Sequence, residues 1–453
     1  MSYSREPDTD TDTDTRMPKF FSVEFLVIFL VVLVTSGSIS ILFYGVNEDA
    51  ASHAGSAFTQ LRGQTENTNP IRQIIIIPLY LYGCMYVALH RRRALSALKP
   101  VFLLFLVSVL CIVSVVWSID PVPTLRRSLD FFLCTVFGFY LAMRFTPPQF
   151  CRIIGRCLLY ICIFTIIFLC IEPSMAIHQD DHYPALRGAF AHKNSMGTIM
   201  PLGVIIGILL IFDKKSKYLG WGLLCLSTIL LVFSLSRTGW MECIVMLGAA
   251  AAVVFIRPNK ILGPILIVTF FAALASVVVL VDANEMFAGI MGMIGRDTSL
   301  TGRTEIWPAT LDALSKGHYL LGFGYDSFWT SYKGALSVEW GMGGFIPVHA
   351  HNGYLQCLVN LGIVGGVLMV AFIGQSLLRT YHQAISEHEA QYALGFIFMI
   401  GFITVNFTET MLMMPDHFAW VTFVYCSCSI RYKPHSNTAS ALSAILRLAL
   451  PKV

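Results

Sequence analysis

The 453-residue sequence has little charge: Asp, Glu, Lys and Arg together make up 13% of it. That is about half of the roughly 25% usual in soluble domains, and it excludes a soluble multidomain enzyme. It also excludes an intrinsically disordered chain, which needs low hydrophobicity and high charge. The net charge of +4 is too small, with its cations set between apolar runs, to argue for a nucleic-acid partner. The twelve cysteines include no Cys-x-x-Cys pair and no cysteine–histidine zinc spacing. All lie in or against apolar runs, so they read as small packing residues, without a disulfide framework or redox chemistry. Walker, G-x-S-x-G and H-E-x-x-H motifs are missing too, which leaves no sign of nucleotide, serine-hydrolase or zinc-protease chemistry.

What is present is apolar sequence, 56% of the chain, gathered into long runs. A membrane-spanning helix needs about 20 mostly apolar residues. About twelve runs qualify: 20–44, 71–89, 101–117, 128–143, 153–171, 195–212, 218–234, 239–256, 261–281, 354–375, 391–408 and the short 417–430. The fold class is therefore an all-α polytopic membrane protein. Residues 442–450 are too few to span and suit a surface-lying helix with Arg447 on its polar side. Residues 1–19 are polar, unlike a signal peptide, and their Asp-Thr repeat from Asp8 to Thr15 is expected to be disordered.

Orientation follows the placement of Lys and Arg. With the N-terminus inside, inside segments hold roughly twice as many as outside ones, in blocks such as Arg91–Arg93 and Lys214, Lys215 and Lys217. Both termini are thus expected inside. The organisation is a tail (1–19), spans one to nine (20–281), a large outside loop (282–350), spans ten to twelve (351–430) and a second inside tail (431–453). A loop that long is usually functional. Within it, residues 283–293 and 305–315 read as short helices, the second with Thr304 as N-cap and Gly317 as stop. Residues 320–326 read as a glycine-punctuated loop, and Trp307, Trp329 and Trp340 suit the membrane interface. The glycine-rich start of the tenth span is expected to allow close helix approach around a lipid.

Four polar clusters share the outside face. They are Arg187-Gly-Ala-Phe-Ala-His192-Lys193-Asn194, Ser236-Arg237-Thr238-Gly239, Gly302-Arg303-Thr304-Glu305-Ile306-Trp307 and His349-Ala350-His351-Asn352-Gly353-Tyr354. Each has an ordinary explanation. Arg237 suits a helix C-terminus, where a cation offsets the dipole. Arg187 and Lys193 suit a solvated surface, and Arg303 suits a pair with Glu305. His349 and His351 alone are too few for a metal site. Together, in a chain this poor in charge, they carry a chemistry. Guanidinium forks match phosphate oxygens, a neutral histidine accepts a proton near pH 7, and Tyr and Trp offer flat faces to sugar rings. The set suits a hydroxyl attacking a sugar whose leaving group is a diphosphate. Glu242 and Glu409 are two further polar positions, the first expected to hold the Arg237 fork and the second to line the same cavity.

These clusters, with Leu321-Gly322-Phe323-Gly324 and Leu361-Gly362-Ile363-Val364-Gly365, resemble in order and spacing the O-antigen ligase/polymerase superfamily of bacterial envelope glycan enzymes. The resemblance covers roughly residues 187–406 and is closer to exopolysaccharide polymerases of the succinoglycan-biosynthesis type. It implies a GT-C type glycosyltransferase of the bacterial inner membrane that needs no metal or other cofactor and has its large loop in the periplasm. The implied donor is a glycan on undecaprenyl diphosphate, with a glycan acceptor, in the lipid bilayer. A chain-length regulator and a flippase are the accessory partners such a role allows. By the resemblance, Arg237 and Arg303 are diphosphate-binding residues and His351 the catalytic base. Arg187, His192, Asn194, Glu305, His349, Asn352 and Tyr354 are added as substrate-binding candidates from position and chemistry. The expected activity is polymerisation of lipid-linked repeat units. Alternatives are a ligase that moves finished glycan to lipid A core or protein and, from another class, a secondary transporter, which a charge-poor midplane disfavours.

Overall fold

Backbone inside a bilayer must satisfy its own hydrogen bonds, and a helix does so within one segment. The apolar runs are accordingly helical in the computed structural model, which describes residues 22–40, 70–178, 184–257, 303–331, 333–335, 338, 347, 349–415 and 417–429. The helices are α1 (Val23–Thr35), α2 (Pro70–Leu89), α3 (Arg91–Leu98), α4 (Phe102–Val113), α5 (Pro121–Arg144), α6 (Pro147–Ile171) and α7 (Lys193–Ile211). They continue with α8 (Lys217–Phe233), α9 (Arg237–Ile256), α10 (Arg303–Ser315), α11 (Gly353–Ser386), α12 (Leu394–Val405) and α13 (Phe418–Cys428). A two-residue antiparallel ladder, Ile177–His178 with Ala185–Leu186, interrupts the all-α pattern.

Among the described residues, six helical segments are long and apolar enough to cross a membrane, and four shorter apolar helices accompany them. The chain is a multi-pass membrane protein. Helix α5 is long but carries Arg126, Arg127, Asp130 and Arg144, more charge than such a segment usually holds. It begins at Pro121, well before the expected 128, because Pro at the first helical position has φ already set and no N–H to satisfy. The expected span 261–281, the helix 283–293, Trp340 and both tails lie outside the described residues.

Local chemistry sets the helix starts. Ser22 accepts from Phe25 N at α1, and Thr146 with Gln149 forms a capping box at α6. Close backbone approach then packs the bundle. A Cβ at Gly207 of α7 would press on the Leu224 backbone of α8, and one at Gly138 of α5 on Val421 and Val424 of α13. Small residues at such crossings are how membrane helices associate without a hydrophobic driving force. The twelve cysteines are all free.

The largest departure from sequence expectation lies in α11. Its glycines do not simply let a neighbouring helix approach. The helix breaks at Gly362, whose φ of 62° and ψ of −163° are non-helical. Residues 319–323 lie in the break. Phe323 N donates to Val359 O at 2.9 Å, Ile363 N to Tyr319 O at 2.8 Å and Val364 N to Leu320 O at 3.2 Å. A side chain on Gly362 would meet the Leu320 carbonyl, and one on Gly322 the carbonyl of Val359. The two glycine motifs interlock, each supplying hydrogen bonds the other's broken backbone lacks.

The interlock is tied to the bundle on its other side. Ile119 N donates to Phe323 O, Trp117 Nε1 to Leu321 O and Tyr325 N to Ser114 Oγ. Arg127 of α5 reaches Asp326, with Nη1 3.2 Å from Oδ2. Burial raises the Asp326 carboxyl above its usual range, and Arg127 opposes that shift. Trp329, expected at the membrane interface, is instead buried against Phe328 in a small core with Ile306 and Leu314 of α10.

Candidate active site

Several helices that meet at one face begin with a polar cap. At α9, Ser236 Oγ accepts from Gly239 N at 3.3 Å. Gly239 packs directly on the Gly197 carbonyl of α7, and a Cβ on Gly197 would strike Ser236. This contact fixes the Ser236-Arg237-Thr238-Gly239 turn and explains both glycines. Arg237 is the first residue of α9 and exposed. It sits at the positive pole of α9, three residues past the Ser234 C-cap of α8, and toward α9 a cation there is unfavourable by about 0.3–1 kcal/mol. An arginine and a helix N-terminus side by side are favourable only toward an anion.

Glu242 does not hold that arginine. It lies over one turn further into α9, 4% exposed, with its Cγ near Gly401 of α12 and its Oε2 without a hydrogen-bond partner among the described residues. The same packing runs α9 antiparallel to α12 and brings Arg237 level with Asn406, just past the end of α12.

Asn406 organises the turn between α12 and α13. Its Oδ1 accepts from Met411 N at 3.0 Å and Leu412 N at 2.7 Å, its Nδ2 donates to Phe402 O, and its carbonyl accepts from Gly353 N at 2.8 Å. A Cβ on Gly353 would strike the Asn406 amide, so only glycine brings α11 this close. Tyr325 Oη closes the turn by donating to Met413 O at 2.7 Å. Glu409 stands in this braced turn, its own N–H bound to Val405 O.

His351 faces it. Its Nδ1 is 3.7 Å from Glu409 Oε2, with the two side chains 31% and 15% exposed. The His351 backbone has a φ of 47°, uncommon for a non-glycine residue, and His349 secures it by accepting the His351 N–H on Nδ1 at 3.2 Å. The two rings lie 4.0 Å apart. Asn352 caps α11, its Oδ1 accepting from Tyr354 N and Leu355 N. Tyr354 Oη donates to Ile403 O and its ring packs on Phe407. The structure thus gives His349, Asn352 and Tyr354 positioning contacts around His351.

Helix α10 docks on the same loop, Trp307 Nε1 donating to Ala350 O at 2.9 Å. Arg303 opens that helix one turn before Trp307, and Thr304 is inside it and is not its cap. The side chains of Arg303 and Glu305 lie outside the described residues. The Arg187–Asn194 cluster is built differently. Arg187, 5% exposed, donates from Nε to Met175 O and from Nη1 to Ala191 O, bracing its own loop. His192 caps α7 by accepting from Asn194 N at 3.1 Å. Below Tyr354, an apolar groove of about 470 Å³ runs along α11, lined by Cys357, Ile363, Val367, Val370 and Leu412.

Sequence reasoning missed Asn406 altogether and gave Glu409 only a loose place. The Asn406-Phe-Thr-Glu409 run at the end of an apolar stretch was the available signal. The chain is 25% identical over 360 residues to the exopolysaccharide production protein ExoQ of Rhizobium meliloti (strain 1021), covering 76% of this chain and 80% of that protein. Residues 221–370, from α8 through the interlock to the middle of α11, match the O-antigen ligase family model.

Proposed function

We propose that this chain is a membrane glycosyltransferase that joins undecaprenyl-diphosphate-linked oligosaccharide repeat units into a polysaccharide, exopolysaccharide or O-antigen, at the periplasmic face of the inner membrane. The observation that carries the reading is the His351–Glu409 pair, set where the first turns of α9 and α10 bring Arg237 and Arg303 to the same end of the bundle. The apolar groove under Tyr354 offers an isoprenoid tail a course along α11.

In this mechanism a terminal hydroxyl of one lipid-linked repeat attacks the anomeric carbon of the growing chain. The new glycosidic C–O bond forms as the bond to the diphosphate breaks, which inverts that carbon. Glu409 on the Nδ1 side of His351 favours the tautomer with its proton on Nδ1, so Nε2 takes the hydroxyl proton. Undecaprenyl diphosphate leaves with its electron pair, and Arg237 and Arg303 offset the charge that develops on it. Within this reading His192, Asn194 and Glu305 line the approach to the site, Arg187 braces the loop that carries the first two, and His349, Asn352 and Tyr354 hold its geometry.

A second reading, transfer of finished glycan to lipid A core or protein, is favoured by the family description itself. Size-resolved glycan and extracted lipid-linked repeats from intact, deleted and His351→Ala strains separate the two. Loss of polymer with accumulation of single repeats in both altered strains supports polymerisation. Polymer made but left unattached supports ligation, and unchanged glycan in both strains removes the enzymatic reading.

A further inference from the structure

A cavity of about 900 Å³ lies at the opposite end of the bundle from His351. The start of α6, the end of α7, the α7–α8 turn, the last turns of α9 and the α11–α12 connection enclose it. It has two unlike parts. The rim carries Arg152, Lys214, Lys215 and Arg257, against which stand only Asp213 and Glu389. The wall below is apolar, with Leu247, Ala251 and Val254 of α9 and Ile208 of α7.

Half of the rim is built as scaffold. Arg152 pairs with Asp213 at 3.4 Å, and Arg257 donates to the carbonyls of Ala384, His388 and Glu389, fixing the α11–α12 connection to the end of α9. Gln391, buried, donates to Leu209 O and locks the same connection to α7. The pocket is therefore held open by its own side chains. Lys214 and Lys215 are exposed at its mouth and have no ion pair among the described residues. The rim keeps two more cations than anions beside an apolar wall that reaches toward the middle of α9, and Val254 on that wall is 69% exposed.

We propose that this pocket binds an anionic glycerophospholipid of the bilayer, with its phosphate at Lys214 and Lys215 and one acyl chain along Leu247, Ala251 and Val254. Basic pockets between membrane helices are suited to anionic headgroups, and a chain needs the apolar wall that a free ion does not use. The site is separate from the proposed reaction, and its test does not depend on glycan transfer.

The test uses full-length protein, purified in mild detergent and stripped of lipid, with binding read by native mass spectrometry and by thermal unfolding. Phosphatidylglycerol is expected to bind and to raise the unfolding temperature, with phosphatidylcholine at least about tenfold weaker. The Lys214→Gln/Lys215→Gln variant, changed only at exposed positions, is expected to unfold like the parent without lipid and to bind phosphatidylglycerol about tenfold less. Ala251→Trp, which fills the wall from an exposed position, is expected to lose binding with its lysines intact. Equal binding of both phospholipids, or unchanged binding in the two variants, overturns the proposal. So does displacement of phosphatidylglycerol by equimolar undecaprenyl phosphate or by millimolar inorganic phosphate, each of which assigns the pocket to a different ligand.

Discussion

Nδ1 of His351 lies 3.7 Å from Oε2 of Glu409, and the two approach from opposite ends of the α11–α12 pair. One precedes the cap of α11 and the other comes after α12. Asn406 holds both, accepting the Gly353 N–H on its carbonyl and the Met411 and Leu412 N–H groups on its side chain.

Glu409→Gln keeps the size of the side chain and removes its charge. If Glu409 sets the tautomer of His351, the variant is expected to lose roughly tenfold to a hundredfold in transfer rate, part of the 10²–10⁴ that a positioned general base contributes. His351→Ala is expected to lose the whole of it. In vitro turnover of a lipid-linked repeat at equal protein levels is the measurement. Full activity in Glu409→Gln removes the carboxylate from the mechanism.

Arg237 stands at the N-terminal end of α9, where its charge is unfavourable toward that helix. Arg237→Ala is expected to cost on the order of 100-fold or more in transfer, comparable to losing one donor at a developing anion. Arg237→Lys keeps the charge and loses the two-pronged fork, so it is expected to fall between alanine and the parent. The same substitutions are expected to leave the unfolding temperature unchanged, or slightly raised for alanine, because no bond to the rest of the described protein is lost.

Gly362 occupies a backbone region that is essentially restricted to glycine. Gly362→Ala adds about 1–3 kcal/mol of backbone strain and a clash with Leu320. The expected result is a lower unfolding temperature and a loss of monodisperse protein in size-exclusion chromatography. Gly248→Ala, at a helical glycine with open space around it, is the control and is expected to behave like the parent.

His417 opens α13 by accepting the Ala419 N–H on Nδ1 at 3.2 Å, which only an unprotonated nitrogen can do. Protonation of the ring therefore removes the cap, so the stability from this contact is present while the ring is neutral and is lost as pH falls. Thermal unfolding at pH 7.5 and 4.5 is expected to show a larger drop for the parent than for His417→Asn, which caps a helix without titrating. An equal drop in both proteins rules out His417 as the source.

The helical runs were legible because apolar length is a local property. The starts at Ser236 and Asn352 were legible as polar clusters between runs, though not as helix caps. The break at Gly362 was not. Leu-Gly-Ile-Val-Gly lies within an apolar stretch and reads as uninterrupted helix, and the segment that enters it comes some forty residues earlier. Asn406 was hidden for the same reason, since its partners Gly353 and Leu412 flank it at unequal distances in the chain. Arg187 shows the converse: its charge was plain in the sequence, but its partners, the carbonyls of Met175 and Ala191, were not.

The interlock of residues 319–323 with the Gly362 break also sets an order of assembly. The earlier segment leaves the ribosome before the helix that receives it, so it has no partner for its N–H and carbonyl groups until α11 has entered the membrane and opened at Gly362. The face that carries His351 is therefore completed late, after both halves of the domain are in place. Two fragments divided between Phe323 and Gly353 would each lack the backbone partner that the other supplies.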